Sequence, residues 1–136
     1  RRGDYLEPKY WKTTGCVCQL PYYLNAIAEM NKRISQPSYY VFSDDIAWVK
    51  ENLPLPKAFF IDWNKGAESW QDMMLMSRCR HHIICNSTFS WWGAWLNPRE
   101  NKTVIMPERW FRHCETPDIC PDKWIKVPIN QPDSIQ

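Results

Sequence analysis

The stretch that most constrains this chain runs from Asp72 to Asn97, D-M-M-L-M-S-R-C-R-H-H-I-I-C-N-S-T-F-S-W-W-G-A-W-L-N. Its pattern predicts the end of one helix, a short buried strand over His82 to Cys85, a polar corner at Asn86, Ser87 and Thr88, and a new helix carrying three tryptophans. A strand that hands small hydroxyl residues to a helix start brings together outward N–H groups, hydroxyls and the positive end of the helix dipole. That combination favours an anion, most simply a phosphate. Ser and Thr are also ordinary helix starters, so on its local pattern alone the corner reads first as an N-cap.

The rest of the chain supplies the frame for that corner. Apolar residues at helical spacing predict a helix over Leu20 to Ile34, with Lys32 and Arg33 in its last turn. Tyr39 to Phe42 and Ala58 to Ile61 are short β-rich apolar runs, the pattern of buried parallel strands. Between them Ser43-Asp44-Asp45 starts a helix that runs to Leu53, with Asp44 or Asp45 as N-cap. Asp62 to Gly66 is a loop, and Ser69 to Cys79 a helix whose methionines (Met73, Met74, Met76) read as core filler. Lys102 to Met106 is a strand ended by Pro107, and Trp124 to Val127 a last weak one. Trp91, Trp92 and Trp95 recur at spacings of three and four, so at least two should face the sheet, with Gly93 permitting close approach; a sugar-binding platform is the alternative use for them.

Strands alternating with helices, without hairpin signals, predict an α/β fold with a doubly wound, Rossmann-like parallel sheet. Ligands of such sheets bind beyond the carboxyl ends of the strands. That rule gathers Arg1 to Asp4, Ser43 to Asp45, Asp62 to Gly66, Asn86 to Ser90 and Pro107 to Trp110 on one edge, which is where most of the polar residues suited to chemistry fall.

The 136 residues are one domain's worth, expected as a single domain over 1–136. With 17 basic and 15 acidic residues dispersed along the chain, a net charge of +2 gives no general nucleic-acid-binding surface. No run reaches the ~18 to 20 apolar residues of a membrane helix. Six cysteines suggest either disulfides or a zinc module built from Cys79, His81 or His82, Cys85, His113, Cys114 and Cys120. Their spacing fits no standard pair of zinc knuckles, and Cys79 and Cys85 sit in apolar-patterned segments, so reduced, buried thiols are expected. A tryptophan-rich carbohydrate-binding module is a further alternative, although the chain lacks the hairpin pattern usual there. No G-x-x-x-x-G-K-[ST] loop is present.

Four ordered motifs then narrow the reading. The run N-S-T-F-S-W-W-G-A-W-L-N with Asp72 upstream, the opening Arg1-Arg2-Gly3-Asp4-Tyr5, the segment Tyr40 to Asp45 and the segment Val104 to Pro107 together resemble the α-1,2-fucosyltransferases, to about Trp110. That family consists of inverting glycosyltransferases that use GDP-fucose. The resemblance implies a GT-B arrangement of two facing Rossmann-like domains, of which this chain would be the carboxyl-terminal, donor-binding one. Because the chain begins inside the arginine motif, the acceptor half is expected to precede it.

The resemblance further implies GDP-fucose and a glycan ending in galactose as partners, no metal or other cofactor, and transfer to a galactoside 2-hydroxyl. Arg1 and Asp4 are the catalytic candidates, Asp4 or Glu7 being able to serve as base if the base is not in the missing half. Arg1, Arg2, Asp44, Asp45, Asp72, Asn86, Ser87, Thr88, Phe89 and Ser90 are the donor-binding candidates, with Asp72 facing the guanine N1–H and N2–H2 pair. A bacterial member would work in the cytoplasm or at the inner membrane, with peripheral contact through the missing half, and a eukaryotic one in the Golgi.

Overall fold

A computed structural model describes residues 7–10 and 18–130, and the elements follow the sequence pattern closely. Helix α1 spans Leu20–Arg33, opened by a proline in its first turn, where the missing N–H costs nothing, and closed by Ile34 in extended conformation. In its last turns Glu29 pairs with Arg33 at 2.8 Å. Strand β1 is Tyr39–Phe42, helix α2 Ile46–Asn52, strand β2 Ala58–Ile61 and helix α3 Trp70–Arg78. Strand β3 is His82–Ile83, helix α4 Thr88–Trp95, strand β4 Val104–Pro107 and strand β5 Ile125–Val127.

All strand pairs described are parallel, so the α/β expectation holds. They form two ladders, β1 with β2, and a second sheet in the order β3-β4-β5. Strand β4 lies at the centre of the latter and is buried along its whole length. Its side chains alternate between two cores, as a pleated strand requires. Ile105 joins Cys18, Tyr22, Ala26, Met30, Cys85 and Val127 on the α1 face. Val104 and Met106 join Ile84, Ala94, Trp110 and Trp124 on the α4 face. Helices thus cover both faces of this sheet.

Pro107 ends β4 as expected, although it is itself the strand's last residue and pairs with Val127. It also ends β3. In the parallel ladder Ile84 N–H donates to the Ile105 carbonyl at 2.9 Å. The reciprocal bond to the Ile84 carbonyl would come from residue 107, which as proline has no N–H. The strand therefore stops at Ile83, shorter than the predicted His82 to Cys85. The orphaned carbonyl is taken up by the Tyr22 hydroxyl, which donates to it from the fully buried face of α1. Tyr22→Phe should leave that acceptor buried and unpaired, a loss of about 1 to 3 kcal/mol read as a lower denaturant midpoint at unchanged slope. An unchanged midpoint would mean that water or another donor replaces the hydroxyl.

Helix α4 packs on α3 through small residues. Ser90, Gly93 and Ala94 form its buried face. A Cβ added at Gly93 would stand 3.0 Å from the Cβ of Met76, so the glycine sets the interhelical distance. Because the small residues take the inner face, the tryptophans are displaced outward, and the expectation that at least two face the sheet is corrected. Trp91 packs against the second core, whereas Trp92 and Trp95 remain 47% and 49% exposed.

Candidate functional site

Contacts along α3 and α4 show that the two helices run in the same direction. Gly93 meets Met76 in the carboxyl-terminal halves of the helices, and at the carboxyl ends Asn97 Nδ2 donates to the Cys79 carbonyl at 2.7 Å while Arg99 Nη1 donates to that of Arg78 at 3.2 Å. Asp72 lies in the first turn of α3 and Ser87-Thr88 at the start of α4, so both belong to the amino-terminal ends of this helix pair. Both turns lie beyond the carboxyl ends of β2 and β3, where an open parallel sheet places its ligands.

The corner is built from buried polar groups. Asn86 is nearly inaccessible, and its Nδ2 donates to the Trp110 carbonyl at 3.2 Å, tying the corner to the segment after β4. Ser87 is the extended N-cap residue of α4, with no side-chain cap hydrogen bond. Its N–H donates to the Cys85 carbonyl at 2.8 Å, and its own carbonyl accepts the Trp91 N–H at 2.9 Å. The Ser90 hydroxyl points inward, donating to the Ser87 carbonyl at 2.9 Å and lying 3.3 Å from that of Cys85. Ser90 and Asn86 thus hold the turn in shape, while Thr88 is exposed and Phe89 half-buried at the mouth of the helix. A turn held in this way can offer the first-turn backbone and the Thr88 hydroxyl to an anion.

Other predicted residues fall in different roles. Asp45 caps α2, its Oδ1 accepting the Trp48 N–H at 3.3 Å, and its own N–H donates to the Ser43 hydroxyl at 3.0 Å. Asp44 beside it is exposed. Asp72 is half-buried and accepts a hydrogen bond from Asn64 Nδ2 at 2.8 Å. Arg1, Arg2 and Asp4 lie outside the described residues.

The sequence reading overlooked a buried polar network at the far end of α4. His82 Nε2 lies 2.9 Å from Asn97 Nδ2. Asn97 Oδ1 accepts the Arg99 N–H at 3.1 Å, and Lys102 Nζ donates to the Ala94 and Asn97 carbonyls at 2.9 and 2.6 Å, closing the helix. On the neighbouring position His81 Nδ1 accepts the Thr103 N–H at 3.0 Å. Both histidines are thus engaged structurally. Among the described residues no three of His, Cys, Asp and Glu converge as metal ligands, which removes the geometry the zinc reading needs. The described cysteines are free thiols, Cys18 and Cys85 buried and Cys79 half-buried, the last less enclosed than expected. Burial pushes the Cys18 thiol well up and raises that of Cys79, so neither is a poised nucleophile. No helix among the described residues is long and apolar enough to cross a membrane.

Fold and corner together define an α/β protein with parallel sheets and an anion-suited helix start at a strand's carboxyl end. The chain belongs to glycosyl transferase family 11, whose family model matches residues 1–127. It is 37% identical over 131 residues to an alpha-1,2-colitosyltransferase of Escherichia coli, covering 93% of this chain and 45% of that protein. It is also 37% identical over 128 residues to the Escherichia coli O-antigen biosynthesis glycosyltransferase WbnK, covering 93% of this chain and 42% of the relative. With the galactoside alpha-(1,2)-fucosyltransferase 1 of Saimiri sciureus the identity is 34% over 100 residues, 71% of this chain and 27% of the other. The chain thus spans less than half the length of these curated relatives. No solved structure matches it.

Proposed function

We propose that this chain is the donor-binding, carboxyl-terminal part of an inverting glycosyltransferase that moves fucose from GDP-fucose to the 2-hydroxyl of a galactose-ending glycan. The observation that carries the reading is the family match over residues 1–127. The site supports it: the start of α4 and Asp72 in the first turn of α3 lie at the amino-terminal ends of two packed helices, a suitable separation of roles for a nucleoside diphosphate. The diphosphate meets the Ser87 to Ser90 turn, and the guanine edge, with its two N–H donors, meets the acceptor Asp72.

As the glycosidic bond breaks, negative charge gathers on the leaving β-phosphate, and a helix start with fixed N–H groups stabilises it without rearranging. Arg1 and Arg2, as planar forked donors, would complete the clamp, with Asp4 holding one fork or serving as base toward the acceptor hydroxyl. In this reading no metal takes part, and the rest of a GT-B-type enzyme would bind the acceptor.

The 37% identical relative named as an alpha-1,2-colitosyltransferase favours a second reading, in which the donor carries colitose on the same nucleotide. Calorimetric titration with GDP in the presence of chelator, followed by transfer assays with both donor sugars, decides among these. Binding that survives chelation, with transfer from the fucosyl donor to a galactoside 2-hydroxyl, is the expected result. Loss of binding on chelation would overturn the metal-independent mechanism, and transfer of colitose alone would replace the donor.

A further inference from the structure

The sequence Ser69-Trp70-Gln71-Asp72 has the form of a capping box, in which the acid in the first turn reaches back over the N-cap residue. The structure does not use it so. Ser69 makes no side-chain cap hydrogen bond, and its N–H is already committed to the Gly66 carbonyl at 3.1 Å. The Asp72 carboxylate turns instead to Asn64 in the loop after β2, accepting its Nδ2 at 2.8 Å. An ionised carboxylate has about four acceptor positions, so this bond leaves most of them available while fixing the plane of the group.

We infer that Asn64 is a positioning residue for nucleotide-base recognition: it holds the Asp72 carboxylate away from its own helix and in the plane that meets a guanine edge. This rests on the donor-site reading above. Without Asn64 the carboxylate is free to swing over the start of α3, where it gains a helix-dipole contact but loses its fixed orientation toward the base. The helix is then no less stable, so recognition and folding separate. Guanine presents N1–H and the 2-amino group to a carboxylate, whereas hypoxanthine keeps N1–H and lacks the amino group. The preference for GDP over inosine diphosphate therefore reports whether both oxygens of Asp72 are correctly placed.

The test is the ratio of GDP to inosine diphosphate affinity, by calorimetry, in the parent and in Asn64→Ala, Asn64→Asp and Asp72→Ala, with melting temperatures measured alongside. The parent should prefer GDP by about tenfold, the order of one charge-assisted hydrogen bond. Asn64→Ala and Asn64→Asp should bring the ratio close to one while melting stays near that of the parent. A ratio kept in Asn64→Ala but lost in Asp72→Ala overturns the role of Asn64 alone. A ratio kept in Asp72→Ala shows that guanine is read elsewhere and overturns the inference together with the place of Asp72 in the donor site. A parent that binds neither nucleotide removes the donor-site reading itself.

Discussion

Trp91→Ala is expected to destabilise the protein by about 3 kcal/mol, the lower part of the range for removing a large aromatic from a packed site because Trp91 is only partly buried. The side chain is the joint between α4 and the carboxyl-terminal segment. Its ring lies 5.5 Å from that of Trp124, with Trp95 stacked on it at 5.1 Å and Trp92 edge-on at 5.0 Å. Its Nε1–H also donates to the Ile119 carbonyl at 2.8 Å, which orders the loop between β4 and β5. Trp91→Phe should keep much of the packing and lose that bond, a cost of about 1 kcal/mol. Equilibrium urea denaturation separates the two variants by midpoint. A shift in Trp91→Ala no larger than in Trp91→Phe would mean that the ring stack contributes little beyond the hydrogen bond.

How much of this was legible in the sequence depends on which force set each feature. Strands β1 and β2 fall where their apolar runs place them, and Asp45 caps α2, because local pattern and turn chemistry decide such elements. Strand β3 is shorter than its apolar run because its end is set by Pro107, more than twenty residues away, through a missing ladder donor. Tyr22, which repairs that gap, reads in sequence only as one apolar position of an amphipathic helix. The tryptophans depart from their helical pattern for a related reason. Helical spacing identifies a face, but here the small residues of α4 took the interior, since Gly93 lets α3 approach to contact distance.

At the candidate site the sequence named the corner and Asp72, and the parallel alignment of α3 and α4 brings them to one end. It did not separate residues that shape the turn from those that face outward. Asn86 and Ser90 are the former, as their buried hydrogen bonds show. Nor did it single out Asn64, which is visible only as part of a polar loop until its contact with Asp72 is seen.

His82 gives the protein a stability that should fall with acid, and its sign follows from the hydrogen bonds around it. Asn97 spends Oδ1 on the Arg99 N–H and one Nδ2 hydrogen on the Cys79 carbonyl, so its second hydrogen faces His82 Nε2, which must accept with a lone pair. Protonation there would set donor against donor in a buried site. Burial first, and then the positive charges of Lys102, His81 and Arg99, lower the His82 pKa from 6.5 to about 4. In the unfolded chain the imidazole titrates near its ordinary value, so between pH 6.5 and 4 the unfolded state binds more protons than the folded one. The contribution is whole above about pH 6.5, is lost progressively as the pH falls toward 4, and levels off below that. Its size is on the order of 3 kcal/mol, from 1.36 kcal/mol for each pH unit of difference. His82→Gln, which can offer a carbonyl oxygen to Asn97 and does not titrate, should be less sensitive to acid by that amount when stability is compared at pH 7 and pH 4. Two-dimensional NMR of the imidazole should show no protonation until near pH 4. An imidazole titrating near pH 6.5 in the folded protein would show that the ring is open to water and that the Asn97 bond does not hold it neutral.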